Sequence, residues 1–107
     1  MDKHVNWKEK TIAVTGGSGF LGSALVERLE SAGYRHLVAP RQADYDLTRG
    51  ERVVRFYRDA EPEAVIHLAA LAGGIGANMR RPGDFFYKNA IMGLQMIEQA
   101  RLARVKK

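Results

Sequence analysis

The sequence predicts an α/β fold built on a parallel sheet, and three observations carry that prediction. Short β-rich runs alternate with segments of helical spacing along the chain. A glycine cluster, Gly16-Gly17-Ser18-Gly19, stands at the first junction between the two kinds of segment. The length of 107 residues allows about one domain and excludes a multidomain architecture.

The first strand is Thr11-Ile12-Ala13-Val14-Thr15, with too little polarity for a one-sided strand, which suits burial on both faces. Helical spacing runs from Phe20 to Ala32. Leu21, Leu25 and Leu29 recur every four residues, and Ala24, Val26 and Ala32 widen the apolar face. Gly33 closes this helix with a residue that tolerates left-handed backbone. The second strand covers Tyr34 to Ala39 and stops at Pro40, which has no N–H for a ladder. Thr48-Arg49-Gly50-Glu51 reads as a capping box, in which Thr48 and Glu51 satisfy each other's orphan amides. The helix it opens carries Val53, Val54, Phe56 and Tyr57 and ends before Glu61-Pro62. Ala64-Val65-Ile66-His67-Leu68-Ala69 is the third strand. A glycine-rich loop, Ala70 to Asn78, leads to a last helix that runs from Pro82, suited to a first helical turn, to about Arg104.

Right-handed crossovers between such strands give a parallel sheet with helices on both faces. Three strands in the order 3-2-1 make half of a doubly wound sheet, a partial Rossmann fold. Val105-Lys106-Lys107 reads as the start of a further strand. Residues 1–10 are an N-terminal extension on this reading, and residues 11–107 are the N-terminal half of a dinucleotide-binding domain.

Composition narrows the function classes. The chain is 46% hydrophobic and 27% charged, as a globular domain is, and it has no Cys. That excludes a disulfide framework, a thiolate metal site and a thiol nucleophile. No apolar stretch approaches the ~18 residues of a membrane helix, and the charged start is unlike a secretory signal. The expectation is a soluble, cytoplasmic chain with no membrane partner and no metal. The net charge of +5 is spread rather than clustered. It suits a phosphate-bearing ligand better than nucleic acid, for which no motif is present.

The chemistry-bearing segment is Gly16-Gly17-Ser18-Gly19-Phe20-Leu21-Gly22, between a strand and a helix, which reads GxGxxG from Gly17 and GxxGxxG from Gly16. The first glycine permits a tight turn, the middle one lets backbone approach a pyrophosphate, and the last lets helix pack on strand. The helix's first amides and the positive end of its dipole then face the diphosphate. A Walker loop is excluded, because no Lys precedes Ser23 after the last glycine. The end of the second strand distinguishes the dinucleotide. Ala39-Pro40-Arg41-Gln42 carries no acid before Asp44, and Arg41 suits a 2′-phosphate, so NADP is expected, with NAD possible if Asp44 takes the ribose hydroxyls. Asp46 and Leu47 have two readings. They serve the start of the second helix and the core, or they flank adenine. His67, between Ile66 and Leu68, reads as a satisfied structural residue rather than a base. Leu68, Ala69 and Ala70 put small side chains at a strand's carboxyl end, where a cofactor can lie close.

Together, Thr15 to Gly22, Asp46-Leu47-Thr48, His67-Leu68-Ala69-Ala70 and Asn89 resemble the extended short-chain dehydrogenase/reductase superfamily. Ala72 to Asn78, Arg81-Pro82, Asp84-Phe85 and Tyr87-Lys88-Asn89 are similar within it to the GDP-L-fucose synthase family, NADP-dependent epimerase–reductases of GDP-4-keto-6-deoxymannose. The resemblance implies that Gly16 to Gly22 hold the pyrophosphate and Arg41 contacts the 2′-phosphate. It places Asp46 and Leu47 beside adenine and Leu68 to Ala70 beside the nicotinamide ribose. Gly73, Gly74 and Ile75 would border the nucleotide-sugar pocket. The family's catalytic Ser or Thr and its Tyr-x-x-x-Lys pair have no counterpart here, since Tyr87 and Lys88 are adjacent and do not share a helical face. The expectation is therefore a truncated, cofactor-binding portion with no catalytic residue, inactive alone, with a non-catalytic binding or interaction module as the alternative. A homodimer is expected through the last helix, whose apolar residues include Phe86, Ala90, Leu94 and Ile97, or through an edge left open at the first strand.

Overall fold

A computed structural model describes residues 5–71 and 79–107. After a 3-10 turn at Trp7–Glu9 the elements are β1 (Ile12–Thr15), α1 (Phe20–Ser31), β2 (Leu37–Val38), α2 (Gly50–Ala60), β3 (Ala64–His67) and α3 (Pro82–Leu102). All strand pairs are parallel, as expected, but the sheet order is β2-β1-β3 rather than 3-2-1. β1 is the central strand, buried along its whole length, and it pairs with β3 through four residues, from Ile12↔Ala64 to Thr15↔His67. The expected open edge at β1 therefore does not exist. On the outer side of β3, the Val65 amide donates to the Lys107 carbonyl at 2.8 Å and the Lys106 amide to Glu63 at 3.0 Å. The last residues thus run alongside β3, in the manner of a beginning strand.

The alternation of β1 side chains divides the core into two layers. Ile12, Val14 and Ala64 pack on one side with Leu25, Val26 and Leu29 of α1 and with Trp7. Ala13 faces the other side, against Val53, Phe56 and Tyr57 of α2 and Met92 and Met96 of α3. Helices therefore cover both faces. The Tyr57 hydroxyl joins α2 to α3 by donating to the Met96 carbonyl at 2.8 Å. α1 departs from expectation at its start: Leu21 is exposed, and the packed face is Leu25, Val26 and Leu29. Val54 of α2 also points outward.

The expected capping box is absent. Arg49 occupies the N-cap of α2 without a side-chain hydrogen bond, because Asp46 takes Thr48 instead, accepting from its hydroxyl at 2.7 Å and its amide at 3.1 Å. The Glu51 carboxylate, which a capping box would turn toward Thr48, accepts from Arg49 Nε at 3.0 Å instead. Among the described residues no helix is long and apolar enough to cross a membrane.

Candidate functional site

The carboxyl ends of β1 and β3 meet over the glycine turn. Gly16 has φ +73°, which glycine adopts without the strain that a Cβ brings. A Cβ there would stand 2.8 Å from the Ala69 nitrogen and from the Leu68 carbonyl carbon. A Cβ on Gly17 would meet the Ala39 side chain at 2.8 Å, and one on Gly22 would run into the Gly16 carbonyl. The turn is thus held between the ends of the sheet and the first turn of α1. Gly19 caps α1 with extended backbone and no side-chain bond. The first amides of a helix have no partner within it, and among the described residues no side chain supplies one.

A cleft of about 250 Å³ opens beside this turn. It brings together Gly16, Ser18 and Gly19, then Asp46 and Leu47, then Leu68, Ala69 and Ala70. Those residues come from three separate junctions of the chain. Gly17, Phe20, Leu21, Gly22 and Arg41 do not line it. Gly17 and Gly22 shape the turn from behind, whereas Phe20 and Leu21 are exposed at 97% and 64%. Arg41 lies in the loop after β2, paired with Asp44 at 3.5 Å across an exposed surface. Gly73, Gly74 and Ile75 lie outside the described residues.

Sequence reading missed part of the lining. Pro40, Gln42, Tyr45, Thr48, Leu71 and Met92 also border the cleft. Pro40 follows β2 where a second wall is needed, and Met92 lies one helical turn before Met96 on the packed face of α3, so both left a trace in the sequence. Gln42, Tyr45 and Leu71 come from loops and left none.

Polar groups fix the walls. Thr48 holds the Asp46 carboxyl below the usual carboxylate range, chiefly through its hydroxyl, against an opposing effect of burial. Asn89 of α3 grips Leu71 by both backbone groups: its Oδ1 accepts the Leu71 amide at 2.6 Å, and its Nδ2 donates to the Leu71 carbonyl at 3.0 Å. The buried Thr15 hydroxyl accepts the amides of Leu68 and Ala69 at 3.0 and 3.1 Å, and it contacts His67 Nδ1 at 2.6 Å. His67 is thus satisfied by a partner, but on an exposed residue rather than in a buried strand. Partial burial lowers its pKa. Among the described residues no group of three or more His, Asp or Glu is placed to hold a metal ion.

Residues 12–107 match the NAD dependent epimerase/dehydratase family. The chain belongs to that family. It is 44% identical over 98 residues to a GDP-L-fucose synthase of Sinorhizobium fredii, a match covering 92% of this chain and 31% of the relative. A GDP-D-glycero-L-gluco-heptose synthase from Campylobacter jejuni, solved in the presence of NADPH, superposes with a TM-score of 0.88 at 33% identity, over 94% of this chain and 29% of that one. The GDP-mannoheptose C4 reductase MlghC of the same organism, solved with NADP bound, superposes at 0.86 with 32% identity, over 92% and 31%. The chain thus spans under a third of the length of these family members. Its partial Rossmann fold is the one they share.

Proposed function

We propose that this chain is the NADP(H)-binding portion of a nucleotide-sugar epimerase/reductase of the GDP-L-fucose synthase type. The observation that carries the reading is the cleft at Gly16, where a turn without side chains at Gly16 and Gly19 meets a helix start that has no side-chain cap bond and the β3 end at Leu68 to Ala70. That shape fits a diphosphate, whose oxygens need amide donors at close range. On this reading Gly16 to Gly22 form the pyrophosphate turn, and Asp46 and Leu47 lie beside adenine. Leu68 to Ala70 line the nicotinamide ribose, and Arg41 leaves Asp44 to take the 2′-phosphate. An exposed pair of that kind contributes only about 0–1 kcal/mol, so its exchange for a phosphate is easy. Gly73, Gly74 and Ile75 border the sugar under the same reading.

The cofactor, when bound, supplies a hydride donor or acceptor at the nicotinamide. This chain's own part is to bind and orient it. Tyr87 is exposed, and Lys88 pairs with Asp84 at 3.3 Å, so neither forms an acid–base pair with the other. The reading places the chain in the cytoplasm as the first half of a dinucleotide-binding domain. It also pairs two copies across the Phe86, Leu94 and Ile97 face of α3, which is exposed.

Titration of NADPH into the chain, followed by nicotinamide fluorescence and calorimetry, tests the reading. Saturable binding with competition by NADP is expected, together with no turnover of a GDP-4-keto sugar. No saturation at millimolar cofactor overturns it in favour of a non-catalytic interaction module, and measurable turnover overturns the claim of inactivity.

A further inference from the structure

We infer that His67 is a positioning residue for the cleft: through Thr15 it holds the backbone at the end of β3 against Gly16, and it does so only as the neutral ring with its proton on Nε2. The inference rests on the reading that the cleft holds the cofactor, but its structural core is a count of hydrogen-bonding positions. A hydroxyl has one proton to donate and two acceptor positions. Both acceptor positions of Thr15 Oγ1 are taken, by the amides of Leu68 at 3.0 Å and Ala69 at 3.1 Å. The remaining contact, His67 Nδ1 at 2.6 Å, must therefore receive the hydroxyl proton. Nδ1 is then bare, and the ring proton sits on Nε2.

The pinned backbone is the one that passes over the glycine turn, where Leu68 and Ala69 approach Gly16 most closely. Leu68 has a second acceptor in the Thr15 carbonyl at 3.2 Å, so Ala69 depends more on the hydroxyl. A proton on Nδ1 turns that nitrogen from acceptor to donor. The Thr15 hydroxyl must then swing its own proton away and release an amide. Leu68, Ala69 and Ala70 all line the cleft, so the wall loosens where the cofactor lies.

The group facing the ring from β1 is Thr15, which is uncharged. Partial desolvation is the cause of the lowered proton affinity of His67, an exposed residue, and no charged side chain of the described residues contributes to it. The lock is therefore closed at neutral pH and opens as pH falls through a pKa below the ordinary 6.5.

The test uses the whole chain as wild type, His67→Asn and His67→Leu. Asn presents its Oδ1 where Nδ1 stands and does not titrate in this range. NADP affinity is measured by calorimetry from pH 8 to pH 5. The cofactor's own 2′-phosphate titration is common to all proteins and cancels in the comparison. Wild type is expected to lose roughly tenfold more affinity than His67→Asn on acidification, the scale of one hydrogen bond. At pH 8 His67→Asn should match wild type, and His67→Leu should bind roughly tenfold more weakly.

Two further readouts stand apart from cofactor binding. Amide-exchange protection of Ala69 should fall with pH in wild type and stay level in His67→Asn, and ring nitrogen chemical shifts at neutral pH should report a bare Nδ1. Identical pH profiles in wild type and His67→Asn, or a protonated Nδ1 at neutral pH, overturn the inference. A wild type that binds no NADP at any pH overturns the proposed function instead, and Ala69 protection still decides the lock. Should His67→Leu not fold, the contrast between wild type and His67→Asn decides between the same two outcomes.

Discussion

Gly16 and Ala69 lie so close that a methyl group on the first would stand 2.8 Å from the backbone nitrogen of the second. The contact joins the turn after β1 to the end of β3, so one missing side chain couples two junctions of the chain. Gly16→Ala introduces left-handed strain of about 1–2 kcal/mol and a clash with backbone, for which overpacking costs about 1–3 kcal/mol. Urea denaturation should show a midpoint lowered by the sum of these effects, with NADPH affinity lost in parallel. A variant as stable as wild type would mean that the Gly16–Ala69 approach is not tight.

Asn89 secures the far end of the same wall. Replacing it with Ala removes both bonds to Leu71 and leaves its amide and carbonyl to find other partners. A loss of about 1–3 kcal/mol in stability is expected, with the Leu71 amide exchanging faster than in wild type. Unchanged exchange at Leu71 would show that the grip is not made in solution.

Under the proposed reading Arg41 separates the two nicotinamide dinucleotides. Arg41→Ala should weaken NADPH binding roughly tenfold to a hundredfold, the value of a charge-assisted bond, and leave NADH binding unchanged. The exposed ion pair with Asp44 contributes little, so stability should stay within about 0.5 kcal/mol of wild type. Equal losses for NADPH and NADH, or no loss for either, would contradict the 2′-phosphate assignment.

Tyr57 predicts an alkaline weakness. Burial pushes its hydroxyl from the ordinary 10.0 up to about 12. The unfolded chain therefore loses this proton near pH 10 while the native chain keeps it. The native state binds more protons in that window, so stability falls as pH rises from 10 to about 12. Tyr57→Phe should cost about 0.5–1.5 kcal/mol at neutral pH through the lost bond to Met96, yet decline less steeply in alkali. Parallel alkaline declines in the two proteins would refute the assignment.

Local signals were legible and pairings were not. The glycine turn showed itself because a positive φ at Gly16 and a buried approach at Gly22 are demands that few other residues meet. The helices follow from periodicity, although Leu21, on the apolar stripe, is exposed, because the packed face of α1 meets the β1 layer only from Leu25 onward. The capping box at Thr48 had the right spacing, but Asp46, two residues away, takes the Thr48 hydroxyl and amide, and Glu51 pairs with Arg49. Spacing alone does not rank competing partners.

The alternation of strands and helices, the burial of β1 on both faces and the bare turn that follows it are legible in the amino-acid sequence alone. Each of these depends on residues a few positions apart, within reach of backbone sterics and side-chain periodicity. Long-range packing sets β1 between β2 and β3 and brings Thr15 to His67 across 52 residues of chain. The same packing gathers loop residues such as Gln42 and Tyr45 into one cleft with Gly16. Strand order and cleft walls arise from contacts between distant segments, and their stability comes from the packing of both core layers together.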